Sequence, residues 1–208
     1  MADIQQADDC VSDSENHNSN LLVAIGASAG GVHELVTLVK LLPDRFEGTI
    51  LIATHRTAGS ANLMLQLLEH FTELNVVEPQ DDDKLECGTL YIGKPEHQVA
   101  INGRKFDIDI DVSQYARHHR IDTLFRSVAN SAGKNAVGVV LSGMLWDGVE
   151  GLSAIHKAGG YCIVQDPNDA KFRSMPEHAI AGVPVDYIGT TEAIAERLSE
   201  LAVGRTCT

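Results

Sequence analysis

The residues best suited to chemistry form the motif Gly-x-Ser-x-Gly at positions 26–30, with Ser28 at its centre. The motif lies between a predicted strand and a predicted helix, which is the setting of a nucleophile elbow. Glycines on both sides allow a sharp turn that exposes the Ser28 hydroxyl, and the amino end of the following helix offers N–H groups to an oxyanion. Two other interpretations stay open. Ser28 could cap the helix, or the turn could bind phosphate, although the lysine of a phosphate-binding loop is absent.

A serine nucleophile needs a base within hydrogen-bond reach, and nine histidines compete for that role. His55 is the best placed, because it directly follows the apolar segment 49–54, which predicts a buried strand. If that strand is a parallel neighbour of the strand before Ser28, both residues lie at the same carboxyl edge of the sheet. A histidine that only caps a loop is the alternative interpretation, and His178 is the reserve candidate for the base.

Asp147 is the candidate for the acid that orients the histidine. It lies in a glycine-flanked loop after the apolar segment 136–141, so it is expected at the same edge of the sheet. Asp166, after the next predicted strand, is a rival for this role. Asp147 could also be the N-cap of the helix that follows it.

The elements that must position these residues alternate between strands and helices through most of the chain. Buried strands are predicted at 21–25, 49–54, 75–77, 136–141 and 161–164, and helices at 32–42, around 62–68, and at 121–132, 148–158 and 192–202. Between them, residues 89–92, 98–101 and 105–110 look like antiparallel strands, the last two joined by a turn at Asn102-Gly103. We therefore predict an α/β fold: a doubly wound, mostly parallel sheet with helices on both faces and a small antiparallel insertion or edge.

Length and composition limit the possible architectures and partners. The chain has 208 residues, of which 44% are hydrophobic, so we predict one domain at 21–208 after a flexible acidic tail at 1–20. A formal net charge of −13 argues against nucleic acid as a partner. No apolar stretch is long enough for membrane insertion and no signal peptide is evident, so a cytoplasmic location is expected. The four cysteines form no Cys-x-x-Cys pair, which favours ordinary thiols over disulfides or a metal site.

Five sequence blocks resemble, in order, the methylesterase domain of the CheB family over roughly residues 21 to 200. The blocks are residues 22–31, the strand that ends in His55, residues 124–129, residues 136–148 and residues 174–176. The resemblance implies that Ser28 is the nucleophile, His55 the base and Asp147 the acid of a catalytic triad. By the same analogy, backbone N–H groups near Ala29 and Met144 are candidate oxyanion donors. No cofactor and no metal ion are expected.

The activity implied by the resemblance is hydrolysis of glutamate γ-methyl esters on the cytoplasmic helices of methyl-accepting chemoreceptors, with release of methanol. Some members of the family also deamidate receptor glutamines. Attack by Ser28 would give a glutamyl-enzyme, which water activated by His55 would then cleave. The rival hypothesis is a catalytically silent module of the same fold that binds receptors or signalling proteins. Retention of all three triad residues favours the enzyme.

Three positions depart from the family pattern. Ala29 replaces a frequent threonine, Thr54 replaces the glutamine before the histidine, and Leu145-Trp146 replaces smaller or more polar residues. These differences bear on the identity of the substrate more than on the triad. Only twenty residues precede the predicted fold, too few for the phosphorylatable receiver domain that is usual in the family. We therefore expect a free-standing esterase or one that is regulated by a partner in trans.

Overall fold

The computed structural model of the protein describes residues 20–56, 61–110, 113, 116 and 118–205. Its strands are β1 Leu21–Ala27, β2 Gly48–Thr54, β3 Asn75–Val77, β4 Thr89–Ile92, β5 His97–Asn102, β6 Lys105–Ile110, β7 Ala136–Val140, β8 Tyr161–Gln165 and β9 Tyr187–Gly189. Seven strands form one sheet in the order β3-β4-β2-β1-β7-β8-β9, and all neighbouring strands in it are parallel. Strands β5 and β6 form a separate antiparallel pair.

Helices cover both faces of the large sheet. Those with described bounds are α1 Gly31–Leu41, α2 Ala61–Phe71, α3 Arg120–Ala132, α4 Val149–Lys157, α5 Ser174–Gly182 and α6 Thr191–Ala202. Because side chains alternate along a strand, Val23 and Ile25 of β1 pack with α1, α2 and α6, while Leu22 and Ala24 pack with α3, α4, α5 and the β5–β6 hairpin. The sheet therefore separates two apolar cores. The predicted fold class is confirmed.

The prediction for the middle of the chain is confirmed for the hairpin and wrong for residues 89–92. Strands β5 and β6 pair from His97 opposite Ile110 to Asn102 opposite Lys105, and Gly103 in the turn has a φ of 59°, which glycine adopts without strain. Residues 89–92 instead form β4, a parallel strand between β2 and β3. All four of its residues are buried, as expected for a strand covered on both faces.

Other features depart from the sequence-based expectations or lie outside their reach. Strand β9 was not predicted and extends the sheet beyond β8. Cys162 is a buried free thiol, as expected for it. Most of the predicted acidic tail, residues 1–19, lies outside the described residues. Across the described part of the chain, no helix combines the length and apolar character needed to cross a membrane.

Candidate active site

The sheet brings the ends of three strands together at its carboxyl edge. Strands β1 and β2 pair with Ala27 opposite Thr54, so the residues that follow them, Ser28 and His55, leave the sheet side by side. Strand β7 is the other neighbour of β1, and Asp147 lies on its connection to α4. Later strands are therefore added to the sheet on both sides of β1, and the strand order reverses there. Such a switch point is where open α/β sheets form their binding crevice.

Ser28, His55 and Asp147 form one continuous hydrogen-bonded chain. The Ser28 hydroxyl lies 3.0 Å from Nδ1 of His55, and Nε2 of His55 lies 2.7 Å from Oδ2 of Asp147. A carboxylate can only accept, so Nε2 carries the proton and Nδ1 is left with a lone pair toward Ser28. The imidazole can therefore accept the serine proton, and the imidazolium that results would face a carboxylate.

The Asp147 carboxylate is buried, with 2% of the residue exposed, and three donors hold it. Besides His55, the backbone N–H of Ile121 donates to its Oδ2 and that of Asp122 donates to its Oδ1, both at 3.0 Å. These two amides belong to the first turn of α3, whose positive end favours a negative charge. The alternative that Asp147 caps the following helix does not hold, because the N-cap of α4 is Gly148 and no side chain caps it.

The turn that carries Ser28 is held by Ser142, a fully buried residue just after β7. The Ser28 N–H donates to the Ser142 carbonyl at 3.0 Å, and the Ser142 hydroxyl donates to the Ala29 carbonyl at 3.0 Å. The same hydroxyl accepts from the N–H of Phe172 at 3.0 Å, while the N–H of Ser142 donates to Oε1 of Gln165 at 2.8 Å. Sequence reasoning missed this role of Ser142. A polar residue directly after a buried strand was the available signal.

Glycine is required in the turn because the neighbours approach closely. Gly30 has a φ of 76°, and a Cβ there would lie 2.9 Å from the Ser142 hydroxyl oxygen and from the Phe172 ring. Gly30 is also the N-cap of α1, with no side-chain cap, so Ser28 does not serve as the cap. On the other side, a Cβ at Gly143 would lie 3.0 Å from the Cβ of Ser28. Without side chains at Gly30 and Gly143, the Ser28 hydroxyl has room to contact His55.

The two candidate oxyanion donors are available for a ligand. The Ser28 N–H is already bonded to Ser142. Among the hydrogen bonds of the described residues, neither the N–H of Ala29 nor that of Met144 donates to a protein acceptor. Unpaired amides beside a half-buried nucleophilic hydroxyl are what an oxyanion site requires.

An exposed apolar rim borders the site. It consists of Met144, Leu145 and Trp146, which immediately precede Asp147, and of Phe172. Trp146 is 58% exposed, which is inconsistent with an aromatic that caps the core. Leu145 has a φ of 68°, a left-handed conformation that costs a non-glycine residue about 1 kcal/mol or more.

The basic residues near the site are largely engaged by the protein. Burial lowers the pKa of the Arg56 guanidinium, which donates to the carbonyl of Gly93. Arg120 is buried, and Arg173 pairs with Glu177 at 2.7 Å. The Arg56 guanidinium is therefore engaged by the protein's own backbone.

The rival residues lie in other interactions. Oδ1 of Asp166 accepts from the N–H of Asn168 at 2.8 Å, and His178 lies 2.7 Å from the carbonyl of Ser174 in its own helix. Two clusters of possible metal ligands occur among the described residues. In both clusters, most of the atoms that could bind a metal ion already make hydrogen bonds within the protein. The clusters are His156, Cys162 and Asp186, and His119, Asp122 and Asp147. Neither cluster supports the assignment of a metal.

A family model and individual relatives of known name point to the same protein family. The family model for CheB methylesterase matches residues 23–198. A protein of Leptospira interrogans is 32% identical over 175 residues, which cover 84% of this chain and 91% of the relative. A protein-glutamate methylesterase/protein-glutamine glutaminase of Pectobacterium atrosepticum is 32% identical over 193 residues, 90% of this chain, and the match spans 55% of that protein.

A solved structure agrees with these sequence matches. The crystal structure of the Thermotoga maritima CheB methylesterase catalytic domain superposes with a TM-score of 0.81 at 26% identity, covering 88% of this chain and 98% of that domain. The strand order, the position of the hydrogen-bonded serine, histidine and aspartate, and these matches lead to one assignment: the chain belongs to the CheB methylesterase family.

Proposed function

We propose that this chain is a protein-glutamate methylesterase that hydrolyses glutamate γ-methyl esters by a Ser-His-Asp mechanism. The observation that carries the proposal is the unbroken chain of contacts from the Ser28 hydroxyl through His55 to the buried Asp147 carboxylate. A module that only binds its partners has no need for this convergence. Membership of the CheB methylesterase family supports the same reaction class.

In the proposed mechanism, Nδ1 of His55 takes the proton of Ser28 as its oxygen attacks the ester carbonyl. Asp147 stabilises the imidazolium, and the N–H groups of Ala29 and Met144 receive the oxyanion. Collapse of the tetrahedral intermediate transfers the proton from His55 to the methoxy oxygen, so methanol leaves and a glutamyl ester on Ser28 remains. His55 then takes a proton from water, which attacks the acyl group, and its return to Ser28 releases glutamate.

The same groups can support glutamine deamidation as a second activity. The His55 imidazolium must then give its proton to the –NH2 group of the tetrahedral intermediate, so that the C–N bond breaks and ammonia leaves. The name of the Pectobacterium relative includes a protein-glutamine glutaminase, which favours this extension.

The proposed substrates are the cytoplasmic helices of methyl-accepting chemoreceptors, and the cytoplasm is accordingly the proposed location. The exposed apolar rim formed by Met144, Leu145, Trp146 and Phe172 suits contact with a helix surface next to the reacting side chain. A regulatory partner in trans remains part of the proposal, as an additional protein that controls access to this site.

The test is incubation with receptor membranes carrying labelled methyl groups, with volatile methanol as the readout. The native chain is expected to release label, and Ser28→Ala is expected to release almost none. Ser199→Ala is the matched control, because this hydroxyl donates only within its own helix, to the carbonyl of Ala195. Binding of the native chain to the membranes without release of methanol would instead support a silent binding module.

A further inference from the structure

We propose that Asp122 is a positioning residue, which holds the loop of Asp147 so that the acid stays aligned with His55. This inference rests on the proposed function. Asp122 was not singled out from the sequence. It lies in the first turn of α3 and is 1% exposed, although nothing in a purely apolar helix face would call for a carboxylate.

The Asp122 and Asp147 carboxylates each accept hydrogen bonds from backbone N–H groups at or just after the other residue. The N–H of Asp122 donates to Oδ1 of Asp147 at 3.0 Å. In return, Oδ1 of Asp122 accepts from the N–H of Gly148 at 3.0 Å and from that of Gly151 at 2.7 Å. Each carboxylate therefore satisfies free amides at the amino end of a helix, Asp147 for α3 and Asp122 for α4. The residue that follows the acid is thereby fixed to the helix that holds the acid.

The glycines at these positions are what let the two helices come close enough. A Cβ at Gly151 would lie 2.5 Å from the Cβ of Phe125 and 2.9 Å from the carbonyl oxygen of Asp122. A Cβ at Gly148, whose φ is 100°, would lie 2.8 Å from Cγ2 of Ile121. Any side chain at these positions would move α4 away from α3, so that the Asp122 carboxylate would no longer reach the N–H groups of Gly148 and Gly151.

The loop before α4 is anchored mainly at its two ends, where Gly143 is bonded to Phe172 and Met175 and Gly148 is bonded to Asp122. The three residues before the acid are exposed, and Leu145 has a left-handed backbone conformation. The contact of Gly148 with Asp122 adds to the bonds that the N–H groups of Ile121 and Asp122 make with the Asp147 carboxylate, and it helps to set where that carboxylate lies relative to His55. A displacement of about 1 Å in such a group costs on the order of 10²-fold in rate.

The role of Asp122 is geometric, because its surroundings are unfavourable for a negative charge. Burial raises the pKa of Asp122, and the nearby Asp147 and Glu150 carboxylates raise it further, against the N–H of Gly151 and the charge of Arg126. His119 also faces it, with Nδ1 3.6 Å from Oδ2. Oδ1 can accept from both glycines whether or not the other oxygen is protonated. An uncharged acceptor of the same shape is therefore expected to serve nearly as well.

The experiment compares Asp122→Ala and Asp122→Asn with the native chain. Three quantities are measured: kcat and KM for methanol release from methylated receptor, and the rate at which Ser28 is labelled by a fluorophosphonate probe. For Asp122→Ala we expect both kcat and the labelling rate to fall by about 10²-fold with little change in KM. Asp122→Asn is expected to recover most of the loss, since its Oδ1 keeps both glycine contacts.

The matched control is Asp186→Ala, which also removes a carboxylate that accepts a backbone N–H, that of Cys162 at 2.7 Å, but away from the triad. It is expected to lose thermal stability and keep its labelling rate. If Asp122→Ala does not fold, Asp122→Ser replaces it, because a serine hydroxyl is too short to reach both glycines.

The proposal is overturned if Asp122→Ala or Asp122→Ser loses stability while kcat and labelling per folded molecule stay at native values. It is also overturned if Asp122→Asn is as slow as the alanine variant. Failure of the proposed function has a different signature, because the native chain itself would then release no methanol and Ser28 would not react with the probe.

Discussion

The nucleophile turn, residues 27–31, and the acid loop, residues 143–148, meet at the same edge of the sheet but are held in different ways. The nucleophile turn is tied to the ends of two adjacent strands by backbone hydrogen bonds and by the buried hydroxyl of Ser142. The acid loop presents apolar side chains to solvent and is fixed at its two ends, at Gly143 by backbone bonds to Phe172 and Met175, and at Asp147 and Gly148 by amides and a carboxylate of α3. Rigidity at the serine thus comes from the sheet, and at the aspartate from two helix ends.

Substitutions in the two segments should therefore have different effects. Changes around the nucleophile turn disturb packing and chemistry together, because the same bonds hold the fold and aim Ser28. Changes at the exposed part of the acid loop can alter substrate contact without disturbing the core.

The largest effect is expected from removing the proposed nucleophile and base. Ser28→Ala and His55→Ala are each expected to lower turnover by about 10³-fold or more, because the triad residues act as a unit. Methanol release from methylated receptor is the measurement, and circular dichroism verifies folding. Near-native turnover by folded Ser28→Ala would identify another nucleophile.

Ser142→Ala is expected to affect both stability and rate. It removes the hydroxyl that joins Ala29 to Phe172, and the loss of these buried bonds should lower the free energy of unfolding by about 1–3 kcal/mol. Misplacement of Ser28 should lower kcat by up to about 10²-fold. Urea unfolding and turnover are measured beside Ser199→Ala, which removes only a hydroxyl contact within a helix. Lower stability with native kcat would show that the sheet alone aims the serine.

Trp146→Ala is expected to change recognition and leave the fold intact. Because the side chain is 58% exposed, the melting temperature should change little. If Trp146 contacts the receptor helix, kcat/KM on receptor substrate should fall roughly fivefold, equivalent to about 1 kcal/mol, while cleavage of a small ester stays unchanged. Val203→Ala, at an exposed apolar residue outside the site, is the control. A drop of several degrees in melting temperature with unchanged receptor cleavage would exclude a groove role.

The smallest effect concerns long-range charge. The formal net charge of −13 should slow encounter with the proposed substrate, a receptor helix that carries glutamate side chains, and the basic residues Arg56, Arg120 and Arg173 are engaged by the protein. Raising ionic strength from about 0.01 M to about 0.1 M shortens the Debye length from roughly 30 Å to roughly 10 Å. We expect kcat/KM on receptor to rise over this range while a small neutral ester is cleaved at a constant rate. A steep fall would mean that local positive charge dominates steering.

Much of the architecture could be predicted from the sequence because it depends on local pattern. The apolar runs before Ser28 and His55 predicted strands, and parallel strands must end at one edge, so their proximity followed. Strand direction does not follow from periodicity, which is why β4 was predicted as antiparallel. Strand β9 is only three residues long and has too little pattern to detect.

The support of the site was harder to predict because it depends on contacts between distant segments. Asp122 and Gly148 are 26 residues apart and meet only because α3 and α4 pack closely. Similarly, Ser142 joins segments around Ala29 and Phe172 that only the folded sheet brings together. The one signal in the sequence that could have pointed to Asp122 is an aspartate at a position of the apolar face of the predicted helix.

The most direct test of the triad is the turnover of the double variant Ser28→Ala/His55→Ala on methylated receptor. If both residues serve one proton transfer, the double variant should be within roughly threefold of the slower single variant, because the second substitution removes a group that already has no partner to activate. Losses that multiply, to about 10⁶-fold or more, would mean that Ser28 and His55 contribute independently. That result would contradict the hydrogen-bonded triad as the catalytic unit of this protein.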